Sequence, residues 1–552
     1  VSHASQEEGT DPTLLEALTG PAMYGESVQV LVHETHASWV FLAGEFAYKV
    51  KKPVRLAFLD YSTLSLRRAA CLEEVRVNRE LAPGIYLGVR AILRTAEGFR
   101  FAAQDTPGAV EYAVLMRRFD EAHTLQGAIQ TRSLTHAQIR EVARCLADFH
   151  LGSPTLAAGG AGQVLDAWSA NIEEIECLER PGAWRVEVMR GFGEAFVNAH
   201  ATEIERRVRE GWVRDGHGDL RCEHVLLGRP VRVVDRIEFD PALRHLDVAC
   251  DLAFLTMDLE AHGRRWAARE LVGAYRHAGG SPGSEQLRGF HGAYWALVRA
   301  KVALIAAASR EGRAYRREWA RAERLWKLAE RLCWRARSPV AIVVCGAAAS
   351  GKSTLTAELA RRSRFPVVSS DAIRKRRAGL QATERAAAEH YTKQFTHATY
   401  DLLSRDALAH LGRRGGVIVD ATCHSKSERA LLFNRLRRGD VTFLVVHCQV
   451  SLQTALARAA ARMQNPGRIS DATPRIVTEQ SRRFQPLEEL PAQSVLALDG
   501  EQAIDVQAAR VTRAVDERMR AVADRTPPRS QSPCFPPAGR GVYPVVRRRA
   551  GA

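Results

Sequence analysis

Residues Gly346 to Ser353 read G-A-A-A-S-G-K-S, a match to G-x-x-x-x-G-K-[ST]. The apolar run VAIVVC precedes the match, and a helical segment, 354–362, follows it. In that context glycines let the backbone wrap closely, so that successive N–H groups and a helix N-terminus point at phosphates. The contacts expected are Gly346, Ala347, Ala348, Ala349, Ser350, Gly351, Lys352, Ser353 and Thr354. Lys352 reaches the β- and γ-phosphates as a point charge, and Ser353 offers its hydroxyl to a metal. The cofactors implied are ATP and Mg²⁺.

Two carboxylates suit the same site. Asp371 lies in VVSSDAIRK, directly after the second predicted strand of this half, and Asp420 ends the strand GVIVD. In an open α/β sheet the strand C-termini face the ligand crevice. Asp371 can there accept a proton from an acceptor hydroxyl, and Asp420 can hold the metal's water. Arg458 and Arg462 are spaced i,i+4 on the helix expected after VTFLVVHC, so they share a face and can close over the phosphates. Residues 339–515 resemble the small P-loop kinases of the zeta-toxin, polynucleotide-kinase and gluconate-kinase type. The resemblance implies transfer of a γ-phosphate to a hydroxyl, with Lys352 and Asp371 catalytic and with Asp371 and Arg374 contacting the acceptor.

The first half carries a composite pattern. His217-Gly218-Asp219-Leu220 falls in a loop, and sixteen residues after Asp219 the strand VRVVD ends at Asp235. Such a pair suits phosphoryl transfer: Asp219 orients or deprotonates the acceptor hydroxyl, and Asp235 holds Mg²⁺. In AYKV, alternation puts Ala47 and Lys49 on one strand face. Lys49 can pair with the α/β-phosphates, and Glu74, mid-helix, can steady it as an ion pair. Lysine is rare here, only nine of the 79 basic residues, and three of the nine stand together at Lys49, Lys51 and Lys52. EYAVLMRRF, 111–119, fits a strand and hinge whose backbone would bind adenine. LADFH, ending at His150, and DVACDLAFL, around Asp251, complete the set.

Residues 28–335 are similar to the aminoglycoside-phosphotransferase and choline-kinase-like fold. With the phosphate-loop half attached, the whole chain resembles the bacterial fused aminoglycoside phosphotransferase/ATP-binding proteins. FAYKVKKPV, LAPGIYLGV and the run from HGDL to DLAFLTMDLE carry that match. The resemblance implies an asparagine metal ligand five residues after the loop aspartate. His224 stands there instead, so the metal set expected in this half is Asp235 with His224. Mg²⁺ prefers oxygen ligands to imidazole.

These groups require two different scaffolds. Between 340 and 499, short apolar runs alternate with helices, which predicts a parallel sheet covered on both faces. In the first half, strands at 38–50, 89–93, 99–103 and 111–116 accompany a helix at 62–81, and helices dominate from 135 onward. The fold class expected is therefore α/β and α+β. The domains expected are a polar leader, 1–27; a bilobal kinase-like domain, 28–337; a P-loop α/β domain, 338–522; and a disordered basic, Pro-rich tail, 523–552.

With 552 residues, 46% hydrophobic and 26% charged, the composition excludes collagen, a wholly disordered chain and a disulfide miniprotein. No run of 18 apolar residues predicts a membrane span. No secretory signal is visible, and the ten scattered cysteines read as reduced thiols of a cytoplasmic protein. The leading reading is an ATP-dependent phosphotransferase with a small-molecule hydroxyl acceptor; its oligomeric state is open. Two other readings stand beside it. Net charge +16, the run RKRR at 374–377 and the RRR tail suit a nucleic-acid end kinase or nucleic-acid-binding ATPase, though no aromatic-basic interleaving supports that partner. His224 suits a non-catalytic ATP switch whose first half is a pseudokinase.

Overall fold

A computed structural model describes residues 11–25, 28–56, 59–178, 183–381, 383–437, 441–463 and 473–523. Residues 1–10 of the expected leader and 524–552 of the expected tail lie outside them. The chain forms two compact units. Among the described residues, one is built from those up to Glu174 with Glu203–Gly283, the other from Ile175–Thr202 with those from Ser284 to Ala523.

The first unit holds a six-stranded antiparallel sheet: β1 (Val30–Glu34), β2 (Ser38–Ala43), β3 (Phe46–Lys51), β4 (Tyr86–Thr95), β5 (Gly98–Ala103) and β6 (Ala109–Arg117). Their order is β1-β2-β3-β6-β4-β5. Alternation divides the sheet's side chains between two cores. Ala47, Val89, Ala91, Val114 and Met116 pack with Cys71 and Val75 of helix α1 (Leu64–Asn78), whose N-cap is Thr63. Phe41, Val50, Ile92 and Ala113 pack on the opposite face, with Leu14 and Leu18 of the helix Pro12–Thr19. Helices α2 (His136–Gly152), α3 (Val248–Ala261) and α4 (Arg265–His277) form a second layer. Their apolar stripes enclose Leu220, Cys222, Val225 and Val233, which anchors the 217–235 segment from below.

The second unit holds five parallel strands: β7 (Val340–Cys345), β8 (Val367–Ser369), β9 (Gly416–Asp420), β10 (Thr442–Gln449) and β11 (Val495–Asp499), in the order β8-β9-β7-β10-β11. Central β7 is buried at every residue. Its run lacks alternation because both faces are covered: Ala341, Val343 and Cys345 enter one core, Val340, Ile342 and Val344 the other. Helices α5 (Lys352–Ser363), α6 (Ser370–Arg377), α7 (Leu452–Met463), α8 (Pro474–Arg483) and α9 (Ile504–Ala523) surround the sheet. The helices Glu285–Ala308 and Gly312–Ala336, expected with the first domain, pack in this unit. Trp334 enters the core beside β7, and Arg337 forms a buried two-pronged ion pair with Asp516 of α9, at 2.7 and 2.9 Å.

Candidate functional site

The chain leaves β7 through Gly346, crosses to β8, returns to β9 beside β7, and then crosses to β10 on the other side. The crevice at the C-terminal ends of β9, β7 and β10 is therefore the place where the strand order reverses. Gly346 turns there with φ 137°, and a Cβ at this position would lie 2.4 Å from the carbonyl oxygen of Cys448. Gly351, φ 96°, is the N-cap of α5, and Ala349 is also left-handed at φ 64°. The backbone is thus bent into a cradle, with the first turn of α5 and its exposed Thr354 opening from it.

Ser353 Oγ donates to Asp420 Oδ2 at 2.7 Å. Asp420 pairs in register with Val344 on one side and Ser369 on the other. A hydroxyl and a carboxylate are therefore held together at the strand ends, a donor set of hard oxygens that fits Mg²⁺. Lys352 folds back over the loop and donates to the Ala347 carbonyl at 2.7 Å. Ser350 Oγ is buried without a hydrogen-bond partner. Arg458 donates to the Gly500 carbonyl at 3.0 Å, and its Nη1 is 3.6 Å from where a Cβ on Gly351 would stand. The side chain of Arg462 lies outside the described residues. Gln480 was not anticipated from the motif; its Oε1 accepts the Ala348 N–H at 2.9 Å and so brings α8 onto the loop.

Asp371 and Arg374 share α6, which begins beside the end of β9. Arg374 is buried. It donates to the His390 carbonyl at 2.6 Å and to Thr396 Oγ1 at 3.2 Å, and it stacks on Tyr391 at 4.6 Å. Its Nε has no hydrogen-bond partner. The run RKRR does not form an open basic stripe: Arg374 and Lys375 are buried, Arg376 pairs with Asp406 at 2.9 Å, and Arg377 stacks on Phe395 at 4.3 Å.

The first unit assembles its own cluster. Lys49 and Lys51 are two apart on β3, so both face α1. Lys49 Nζ donates to Glu74 at 2.8 Å and to Asp235 at 3.0 Å. Lys51, unassigned from the sequence, is buried between Glu74, at 2.5 Å, and Glu238. Burial pulls the Lys51 ammonium down, but the carboxylates of Glu238 and Glu74 overcome it and its pKa is raised. The Lys49 ammonium holds the Asp235 carboxyl well below the usual carboxylate range. Asp235 is left-handed, φ 62°, with its N–H on Tyr86 Oη at 3.1 Å.

The 217–224 loop is fixed from beneath. The buried Asp251 carboxylate accepts the His217 and Gly218 N–H groups at 2.6 and 3.2 Å, and His150 Nε2 lies 3.1 Å from it. Above, Asp219 is gripped by Arg221, Nε to Oδ1 at 2.9 Å and Nη2 to Oδ2 at 2.7 Å. His224 Nε2 lies 3.1 Å from Arg221 Nη2 and 3.8 Å from Asp235 Oδ2. Lys49, Glu74, Asp219, His224 and Asp235 thus meet in one place; Arg221 and Glu238 complete it. Asp235 fits a divalent cation as an oxygen donor. His224 does not, because its accessible nitrogen already faces a guanidinium N–H.

Together these features define a mixed α/β protein whose second unit carries a P-loop domain. The AAA domain profile matches residues 342–487. The chain is 29% identical over 467 residues to the uncharacterized protein Rv2004c of Mycobacterium tuberculosis, covering 82% of this chain and 89% of that protein. Mb2027c of Mycobacterium bovis matches with the same identity and coverage. Among solved structures, a gluconokinase from Sinorhizobium meliloti is similar at 20% identity, TM-score 0.24, over 34% of this chain and 95% of that one. The APS kinase CysC of Mycobacterium tuberculosis is similar at 21% identity, TM-score 0.25, over 32% and 98%. A choline/ethanolamine kinase family protein from Mesorhizobium loti is similar at 15% identity, TM-score 0.34, over 57% of this chain and 99% of that one. No helix among the described residues is long and apolar enough to cross a membrane.

Proposed function

We propose that the chain is an ATP-dependent phosphotransferase acting on a small hydroxyl acceptor, with a catalytic phosphate loop in the second unit and a second nucleotide site in the first. The observation that carries this reading is the 2.7 Å contact of Ser353 with Asp420 at the mouth of a cradle built on the central strand. ATP suits the cradle because loop N–H groups, the α5 N-terminus and Lys352 all favour anionic oxygens; Lys352, held on the Ala347 carbonyl, and the Ala348 N–H, held by Gln480, would turn to the phosphates. Ser353 and Asp420 would hold Mg²⁺, which when bound neutralises charge on the phosphates.

In this reading Asp371 takes the proton from the acceptor hydroxyl. The acceptor oxygen bonds to the γ-phosphorus as the bond to the β–γ bridging oxygen breaks, and ADP leaves with that electron pair. Arg374 anchors the acceptor, and Arg458 closes over the phosphates. In the first unit, Lys49, steadied by Glu74, would meet the nucleotide phosphates, Asp235 the metal, and Asp219 an acceptor. Of the RKRR run, two side chains are buried and the two exposed ones, Arg376 and Arg377, are engaged by Asp406 and Phe395, which favours the small-acceptor reading over a nucleic-acid one.

The test is Lys352→Ala in the full chain. ATP-dependent phosphorylation, screened over hydroxyl metabolites and oligonucleotides, is expected to fall at least ~10²-fold, as for a lost electrostatic contact to transferring phosphate. Unchanged turnover and unchanged ATP affinity would refute the assignment.

A further inference from the structure

In a kinase-like site two divalent cations are held by the strand-end aspartate and by the asparagine of the catalytic loop. The loop of the first unit is arranged differently. His224 Nδ1 lies 2.8 Å from the Asp219 backbone carbonyl. A carbonyl only accepts, so Nδ1 carries the proton and Nε2 is the lone-pair nitrogen. That lone pair faces Arg221 Nη2 at 3.1 Å. The same guanidinium occupies both oxygens of Asp219, at 2.9 and 2.7 Å. One cation that never deprotonates therefore already satisfies each donor the loop could offer a second metal.

The charge balance agrees. Lys49 and Lys51 face three carboxylates, those of Glu74, Asp235 and Glu238, which leaves one negative charge there. Asp235 is the most accessible of the three, its side chain 48% exposed. Asp219 with Arg221 is neutral by itself. Arg221 Nη1 is turned to Glu223, a half-exposed carboxylate that an incoming phosphate can replace.

We infer that Arg221 is a built-in cation of the first unit: its guanidinium fills the ground between Asp219 and His224 that a second divalent cation would need, and the site takes a single divalent cation, at Asp235. Arg221 is then a positioning residue for Asp219 and a fixed positive charge toward the phosphates. The inference rests on the reading that the first unit binds nucleotide.

The experiment uses the full chain carrying Lys352→Ala and Ser353→Ala, which removes the metal and phosphate groups of the second unit. Mn²⁺ bound per chain is counted by electron paramagnetic resonance at saturating β,γ-imido ATP. One Mn²⁺ per bound nucleotide is expected. Two would overturn the inference and leave nucleotide binding standing; absence of bound nucleotide would overturn both. Adding His224→Asn alone is expected to leave the count at one, because Arg221 still fills the position, and a count of two would contradict this. Adding Arg221→Ala together with His224→Asn is expected to raise it to two, and a count that stays at one would refute the role of Arg221. Arg221→Gln in the same pairing keeps most of the side-chain volume and carries the same expectation should the alanine variant fail to fold.

Discussion

His217 is fully buried, and both ring nitrogens are engaged. Nε2 lies 2.9 Å from the Val234 carbonyl and so carries the proton, while Nδ1 accepts the Asp219 N–H at 3.2 Å. Protonating Nδ1 would set two N–H groups against each other at the base of the loop. Burial lowers this imidazole to about 4, against the pull of Asp251 and Asp219 and with the help of His224. An unfolded histidine titrates near 6.5, so between about pH 6.5 and 4 the unfolded chain binds the extra proton. Stability is therefore complete above that window and is lost as pH falls through it. At about 1.4 kcal/mol per unit, His217 alone should remove about 2 kcal/mol from the first unit between pH 7.5 and 5. Urea unfolding of the parent and of His217→Gln at both pH values tests this. The drop in the variant is expected to be smaller by that amount, and equal drops would refute it. Glu74 is shared by two lysines, at 2.8 and 2.5 Å, and its role lies in the cations it holds.

The elements that present these residues follow from local pattern wherever burial is two-sided or periodic. VAIVVC reads as a buried strand and is β7; the helix expected at 354–362 is α5, Lys352–Ser363; Thr63 caps the helix expected from 62. The strand β1 was not legible, because it is an edge whose residues are mostly exposed and carry no burial rhythm. Site residues followed the same division. The phosphate loop, Asp420 and the Lys49–Glu74 pair were readable from motif or face. Gln480, Lys51, Glu238 and the grip of Arg221 on Asp219 were not, since most of these arise from contacts between distant segments, 132 residues apart for Ala348 with Gln480 and 187 for Lys51 with Glu238. At this scale Gly346 is the sharpest lever. A methyl there would meet the Cys448 carbonyl at 2.4 Å and Ser350 Oγ at 3.1 Å, at a φ that side chains rarely adopt. Gly346→Ala is expected to cost about 2 kcal/mol or more of stability and to abolish nucleotide binding in the second unit. Thermal unfolding and titration with an ATP analogue measure the two effects, and a variant with parent affinity would show that the loop tolerates being pushed off β10.

Taken as a whole, the chain carries two constellations that share no residue, one on an antiparallel sheet and one on a parallel sheet. The 467-residue match to the mycobacterial relative is longer than either unit, so it runs through both. Two separate sites without common partners should respond independently to substitution. The full chain is then expected to bind two equivalents of β,γ-imido ATP in the presence of Mg²⁺. Lys352→Ala should remove the equivalent held by the phosphate loop, and Asp235→Asn the one held by the first unit, whose Lys49 would otherwise meet the nucleotide phosphates beside the metal. The double variant should bind none. Isothermal titration of the four chains decides it. A parent stoichiometry of one that Lys352→Ala abolishes and Asp235→Asn leaves intact would strip the first unit of its nucleotide and reduce the Lys49–Glu74–Asp235 cluster to a fold-stabilising network. Loss of both equivalents from either single substitution would instead mean that the sites are filled as a pair.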